Sequence, residues 1–145
     1  MLASAKKVKI HIRSTTKDEH GYLPPVEQTY EGSFMEKNGK CYAMYSENAE
    51  SGFGNTRTTL KWEEDRVLLL RSGALEHSQE FVRGLVQESV YRTPYMEIPL
   101  VTTTHYVYCF YRKGVWHLEM EYTLAHGEQP YGDMKLLIDV EGVES

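Results

Sequence analysis

A chain of 145 residues, 41% hydrophobic and 26% charged, is long enough to bury one core without disulfide or metal staples, and it reads as a single soluble domain spanning residues 1–145. Its net charge of −5 excludes the basic surface that nucleic-acid binders use to track phosphates, so no nucleic-acid partner is expected. No apolar run approaches the roughly 18 residues that span a bilayer, and the opening MLASAKKVKIHIRS lacks the apolar stretch of a secretory signal, so the expected setting is cytoplasmic, with no membrane partner.

The first expected strand, Val8 to Ser14, places Val8, Ile10 and Ile12 on one face and Lys7, Lys9, His11 and Arg13 on the other. The basic stripe reads as a solvated face. A polar loop with Gly21, Pro24 and Pro25 follows, which cannot continue a central strand. Two runs, Thr29 to Lys37 and Lys40 to Ser46, flank Asn38-Gly39, a pair that supplies the positive φ angles of a type I′ hairpin. After the glycine-rich SGFGN, Thr56, Thr58, Leu60 and Trp62 oppose Arg57, Thr59 and Lys61. Val67 to Arg71 comes next. Leu75, His77, Gln79 and Phe81 then share a face opposite Glu76, Ser78 and Glu80; Phe81 to Val86 is an alternative short helix, weakened by Gly84.

Beyond Thr93-Pro94 a long run reaches Tyr111, with an edge or a bulge expected at Pro99. Lys113-Gly114 marks another hairpin, Val115 to Leu124 alternates around Trp116, Leu118, Met120 and Tyr122, and Met134 to Val140 closes the series. About ten short strands joined by tight turns, with almost no helix, predict an all-β, antiparallel up-and-down barrel or a sandwich. Cys41 and Cys109 are isolated, without a CxxC pair, and read as reduced, buried thiols.

Tyr30-Glu31-Gly32, Lys37-Asn38-Gly39-Lys40, Arg71-Ser72-Gly73, Gln79-Glu80-Phe81 with Gly84, Tyr91-Arg92-Thr93-Pro94-Tyr95, Thr104 and Leu118-Glu119-Met120-Glu121-Tyr122 follow one another along nearly the whole chain. In that order they resemble the YwiB-like family of small bacterial proteins. The resemblance implies a single calycin-like, that is lipocalin-like, β-barrel of about 8–10 strands in a bacterial cytoplasm. It implies no reaction, because the family has no established activity. Met96 stands where the family usually has glycine, which puts in doubt a tight backbone approach after Thr-Pro-Tyr.

Inside such a barrel the polar residues decide between a filled core and a chamber. Thr56, Thr58, His77, Gln79, Tyr91, Thr93 and Tyr122 are candidates to point inward, and several polar groups converging on an apolar space describe a small-ligand site. The candidate ligand-binding set is Arg71, His77, Gln79, Tyr91, Thr93 and Tyr122; an inward Arg71 favours an anionic guest. Against this stands a core in which buried hydroxyls, amides and imidazoles satisfy one another. The G-x-W element of lipocalins is absent from the first strand, and so is the Arg-x-Tyr carboxylate clamp of fatty-acid carriers near the C-terminus. His117, Glu119 and Glu121 alternate on one strand face as a metal set would, but opposite an apolar face they read as solvated. No P-loop, nucleophile elbow or zinc knuckle occurs, so no cofactor, metal or catalytic residue is assigned.

The segment HYVYCFY, His105 to Tyr111, has no polar face. With Tyr106, Tyr108 and Phe110 turned inward, His105, Val107, Cys109 and Tyr111 form an external stripe that needs cover. A homodimer built on this stripe is one cover; a loop or the N-terminal segment is another. The expected function is non-enzymatic binding of a small, partly apolar molecule. The alternative is a structural or protein-interaction module with a filled barrel and a working outer surface, and an enzyme of unknown class stays open.

Overall fold

The computed structural model describes residues 5–47 and 55–143. The strands are β1 (Lys6–Asp18), β2 (Gly21–Tyr22), β3 (Val26–Lys37), β4 (Lys40–Glu47), β5 (Thr56–Glu63), β6 (Arg66–Gly73), β7 (His77–Val82), β8 (Val86–Arg92), β9 (Glu97–Arg112), β10 (Val115–His126) and β11 (Gln129–Gly142). No helix occurs among the described residues, and the alternative helix after Phe81 is a turn in which Gly84 takes a φ of +82°.

Apart from the two-residue β2, which pairs with β1, the strands run in the order β7-β6-β5-β4-β3-β1-β11-β10-β9-β8, all antiparallel. Each strand lies beside its chain neighbour, and β1 and β11 join the two arms. The result is an up-and-down barrel, nearly closed. Its base carries the tight turns. Asn38 and Gly39 have φ of 55° and 78°, and Lys113 and Gly114 have 50° and 82°, so both expected hairpins form with the left-handed pair they need. At Gly32 the requirement is space: a Cβ there would come within 2.3 Å of the Met44 carbonyl oxygen.

The ring closes without a ladder. β7 and β8 are consecutive in the chain but stand at opposite ends of the strand order. Backbone bonds join them at one point, between Glu76 and Arg92 (2.8 and 2.9 Å), while the connecting turn bonds to β9 through Gly84 and Leu85 at Thr104. Between these fixed ends the seam is held by side chains, chiefly Gln79 and Gln87 (2.8 Å).

A bulge in β9 overturns the expected stripe. Glu121 pairs with Tyr106 but Tyr122 pairs with Thr104, so His105 is the extra residue. One inserted residue exchanges the faces of a strand. Leu100, Thr102 and Thr104 therefore face inward before the bulge, and Val107 and Cys109 after it; Val107 is 3% exposed in the core. Tyr108 and Phe110, expected inside, are 50% and 48% exposed on the outer wall beside Tyr106. Of the residues named for a dimer stripe, Val107 and Cys109 are thus unavailable, His105 bonds Thr123 (2.6 Å), and Tyr111 packs on Trp116 at the base. Pro99 lies at no bulge; β10 pairs only from Val101 onward, so Pro99 sits where β9 has β8 as its one ladder partner.

The base of the barrel is solid. Trp62, 1% exposed, contacts the rings of Phe34 and Trp116 at centroid distances of 5.9 and 5.7 Å, and Val67, Leu118 and Met120 fill in around them. The aliphatic inward positions of β1, β10 and β11 (Val8, Ile10, Leu118, Ile138, Val140) complete the core. Packing thins toward the other end, where β1 leaves, β4 ends and β7 begins.

Candidate functional site

That end contains a cavity of about 230 Å³. Its walls are aliphatic on the β1 and β11 side, with Ile12, Leu136 and Ile138, and polar on the side of β4, β6, β7 and β8. An apolar cavity of about 150 Å³ admits benzene, so this volume suits one ring with a short substituent rather than a water or two. A larger hollow of about 420 Å³ lies outside the barrel around the Glu64-Asp65 turn, but its lining is charged and exposed.

Period-two alternation carries the polar wall. On β4, Cys41, Ala43, Tyr45 and Glu47 all point inward, and on β5 Thr56, Thr58, Leu60 and Trp62 do the same. Across β6 and β7 the inward residues Arg71 and His77 are direct partners, as are Leu69 and Gln79. Arg71 finds its counter-charge within the chain: its Nε lies 3.9 Å from Glu47 Oε2, with side-chain exposures of 22% and 4%. The hydroxyls of Tyr30 and Thr58 donate to the same carboxylate, each at 3.3 Å. Burial raises the Tyr122 phenol to about 12 and pushes Tyr45, Tyr30 and Tyr91 upward, the Glu47 charge adding to each of these three, so all four remain protonated donors at neutral pH.

The seam side chains form a network at the cavity wall. Gln79 Nε2 donates to Gln87 Oε1 (2.8 Å) and to the Glu80 carbonyl (3.1 Å); Gln79 Oε1 accepts from Thr102 (2.9 Å) and Ser89 (3.4 Å). His77 Nε2 lies 3.0 Å from Ser89 Oγ. Burial, and then the Arg71 charge, lower the His77 pKa from 6.5 to about 4, so the imidazole is neutral. The unfolded chain takes up this proton near 6.5 and the folded chain only near 4. Stability therefore falls as pH drops from 6.5 through 4 and levels off below. His77→Gln is expected to flatten that part of the profile, measured by urea unfolding at pH steps across the window; an unchanged slope would assign it to carboxylates alone.

Arg71, His77, Gln79, Tyr91 and Tyr122 all line the cavity. Thr93 does not. It belongs to the β8–β9 turn, where its hydroxyl accepts from the amides of Tyr95 (3.3 Å) and Met96 (3.2 Å) while its own amide bonds the Met96 carbonyl (2.9 Å). The turn closes with Met96 at an ordinary negative φ, so the missing glycine costs nothing there. Glu47 and Tyr45 are wall residues that the sequence reading passed over, although both continue the inward phase of Cys41 and Ala43. Among the described residues no three His, Cys, Asp or Glu side chains are grouped to hold a metal; His117 is bonded to Asp139 at 2.7 Å. Burial raises the Cys41 thiol to about 11 and that of Cys109 to about 12, which removes both as thiolate nucleophiles at neutral pH.

Comparison with known proteins agrees with this architecture. The family described as "Domain of unknown function (DUF1934)" matches residues 10–138. The Uncharacterized beta-barrel protein YwiB of Bacillus subtilis (strain 168) is 27% identical over 135 residues, which are 93% of either chain. The crystal structure of the ywiB protein from Bacillus subtilis superposes with a TM-score of 0.85 at 24% identity, covering 98% of this chain and 96% of that one, and at this identity it speaks for the fold.

Proposed function

Because the chain belongs to the DUF1934 family, a kinship that brings no activity with it, we propose from its own geometry that it is a cytoplasmic, non-enzymatic binding protein holding a small, partly apolar molecule inside the barrel. One observation carries this reading: a cavity of about 230 Å³ whose wall is aliphatic on one side and hydrogen-bonding on the other. Arg71, His77, Gln79, Tyr91 and Tyr122 are the residues that would orient the guest, with Tyr45 and Glu47 added by the structure. Two of the wall's polar atoms, Arg71 Nε and His77 Nδ1, are buried and have no hydrogen-bond partner, an arrangement that costs about 1–3 kcal/mol per group unless something relieves it.

Native mass spectrometry of the protein purified from its own host tests the reading. The expected result is a retained small molecule that is lost from a folded Leu69→Trp variant, in which the indole fills the cavity. A bare wild-type mass, together with no shift of interior resonances on titration with small aromatic compounds, would refute it.

The exposed aromatics of β9 favour a second reading, self-association through the outer wall. Tyr106, Tyr108 and Phe110 then replace the stripe expected from sequence. Sedimentation of a dimer that Tyr108→Glu converts to monomer is the outcome this reading requires.

A further inference from the structure

The hydrogen-bond network of the seam has one anchor whose polarity is beyond choice. The Glu80 backbone N–H donates to the side chain of Gln87 at 2.8 Å, so the accepting atom there is the amide oxygen. The Gln79 atom 2.8 Å from that same oxygen must then be its NH2 group, which leaves the Gln79 oxygen facing Thr102 and Ser89 as acceptor. The Ser89 hydroxyl thus has a carbonyl to donate to, and its oxygen is free to accept from His77 Nε2 at 3.0 Å. On this chain of bonds the neutral imidazole carries its proton on Nε2 and a lone pair on Nδ1.

Two further considerations select the same tautomer. His77 stands directly across the β6–β7 ladder from Arg71, and partners on one face have Cβ atoms about 5 Å apart, so a lone pair toward the guanidinium is favoured over an N–H. Nδ1 also has no partner, and a buried acceptor left unpaired is commoner than a buried N–H left unpaired. The cavity wall therefore pairs an unpartnered donor, Arg71 Nε–H, with an unpartnered acceptor, His77 Nδ1. Net charge separates the remaining possibilities. Glu47 already offsets Arg71, so a carboxylate guest would place a second anion beside it and set its oxygens against the His77 lone pair.

We infer that the cavity is built for an uncharged guest with a carboxamide or lactam edge, whose carbonyl accepts from Arg71 and whose N–H donates to His77, on an apolar body of about one ring. This rests on the cavity being a binding site at all, and the test separates the two claims. Benzamide, benzoate and toluene are titrated into uniformly ¹⁵N-labelled protein, with long-range ¹H–¹⁵N spectra reporting the His77 ring. The expected result is a proton on Nε2 in the free protein, an Nδ1 resonance that moves when benzamide binds, and affinity for benzamide at least about tenfold above that for benzoate, the margin of one well-made hydrogen bond. A proton on Nδ1, or benzoate binding as tightly as benzamide, would overturn the inference. Toluene entering while benzamide gains nothing over it would also overturn it and leave the binding site standing. Entry by none of the three would remove both.

Discussion

Glu47→Leu is expected to destabilise the protein by about 3 kcal/mol, and adding Arg71→Met should restore most of that loss. The single change strands a guanidinium whose side chain is only 22% exposed, with its counter-charge gone. Breaking a buried pair costs about 3–5 kcal/mol, and the lower end applies here because Arg71 keeps some water and the 3.9 Å contact is loose. Removing both charges together leaves apolar groups against an interior already lined by Leu60, Leu69 and Ile12, which such exchanges tolerate well. Urea unfolding of the wild type, both single variants and the pair supplies the cycle. Additive losses in the double variant would mean that Glu47 serves Tyr30 and Thr58 rather than Arg71.

Trp62→Ala should cost about 4 kcal/mol, while Trp62→Phe should cost no more than about 1.5 kcal/mol. The indole is 1% exposed and fills the base between Phe34 and Trp116, so its removal leaves a void that the closed sheet cannot collapse into. Its Nε1, however, is buried without a hydrogen-bond partner. Phenylalanine abandons that unmet donor along with the lost volume, and the two effects oppose each other. The urea midpoints should separate the variants at unchanged slope; equal losses would show that the N–H is met after all.

How much was legible depended on whether a rule acted locally. Asn38-Gly39 and Lys113-Gly114 declared their hairpins because positive φ is a property of two residues. Alternation placed Thr56, Thr58, His77, Gln79 and Tyr122 toward the interior because each lies on a strand that keeps its phase. The phase of HYVYCFY was not legible: the bulge at His105 exists only in the pairing of β9 with β10, and nothing in a uniformly apolar run shows where the extra residue falls. Thr93 misled for a different reason. Its hydroxyl serves a turn, a role that the following proline permits but alternation does not reveal. Glu47 was hidden because a glutamate at the end of a run reads as solvent-facing unless the arginine across the barrel is already known.

The side-chain seam has a consequence for how the ring yields. Every other junction of the barrel is a row of backbone bonds that must break together, whereas β7 and β8 can separate between their fixed ends by rotating a few glutamine, serine and histidine side chains. Partial opening of lowest free energy therefore belongs to this joint. Native-state amide exchange should find the protons of Ser78 to Glu80 and of Gln87 to Ser89 less protected than those of β1 and β11. Breathing of the barrel wets the polar flank of its interior and leaves the aromatic base dry.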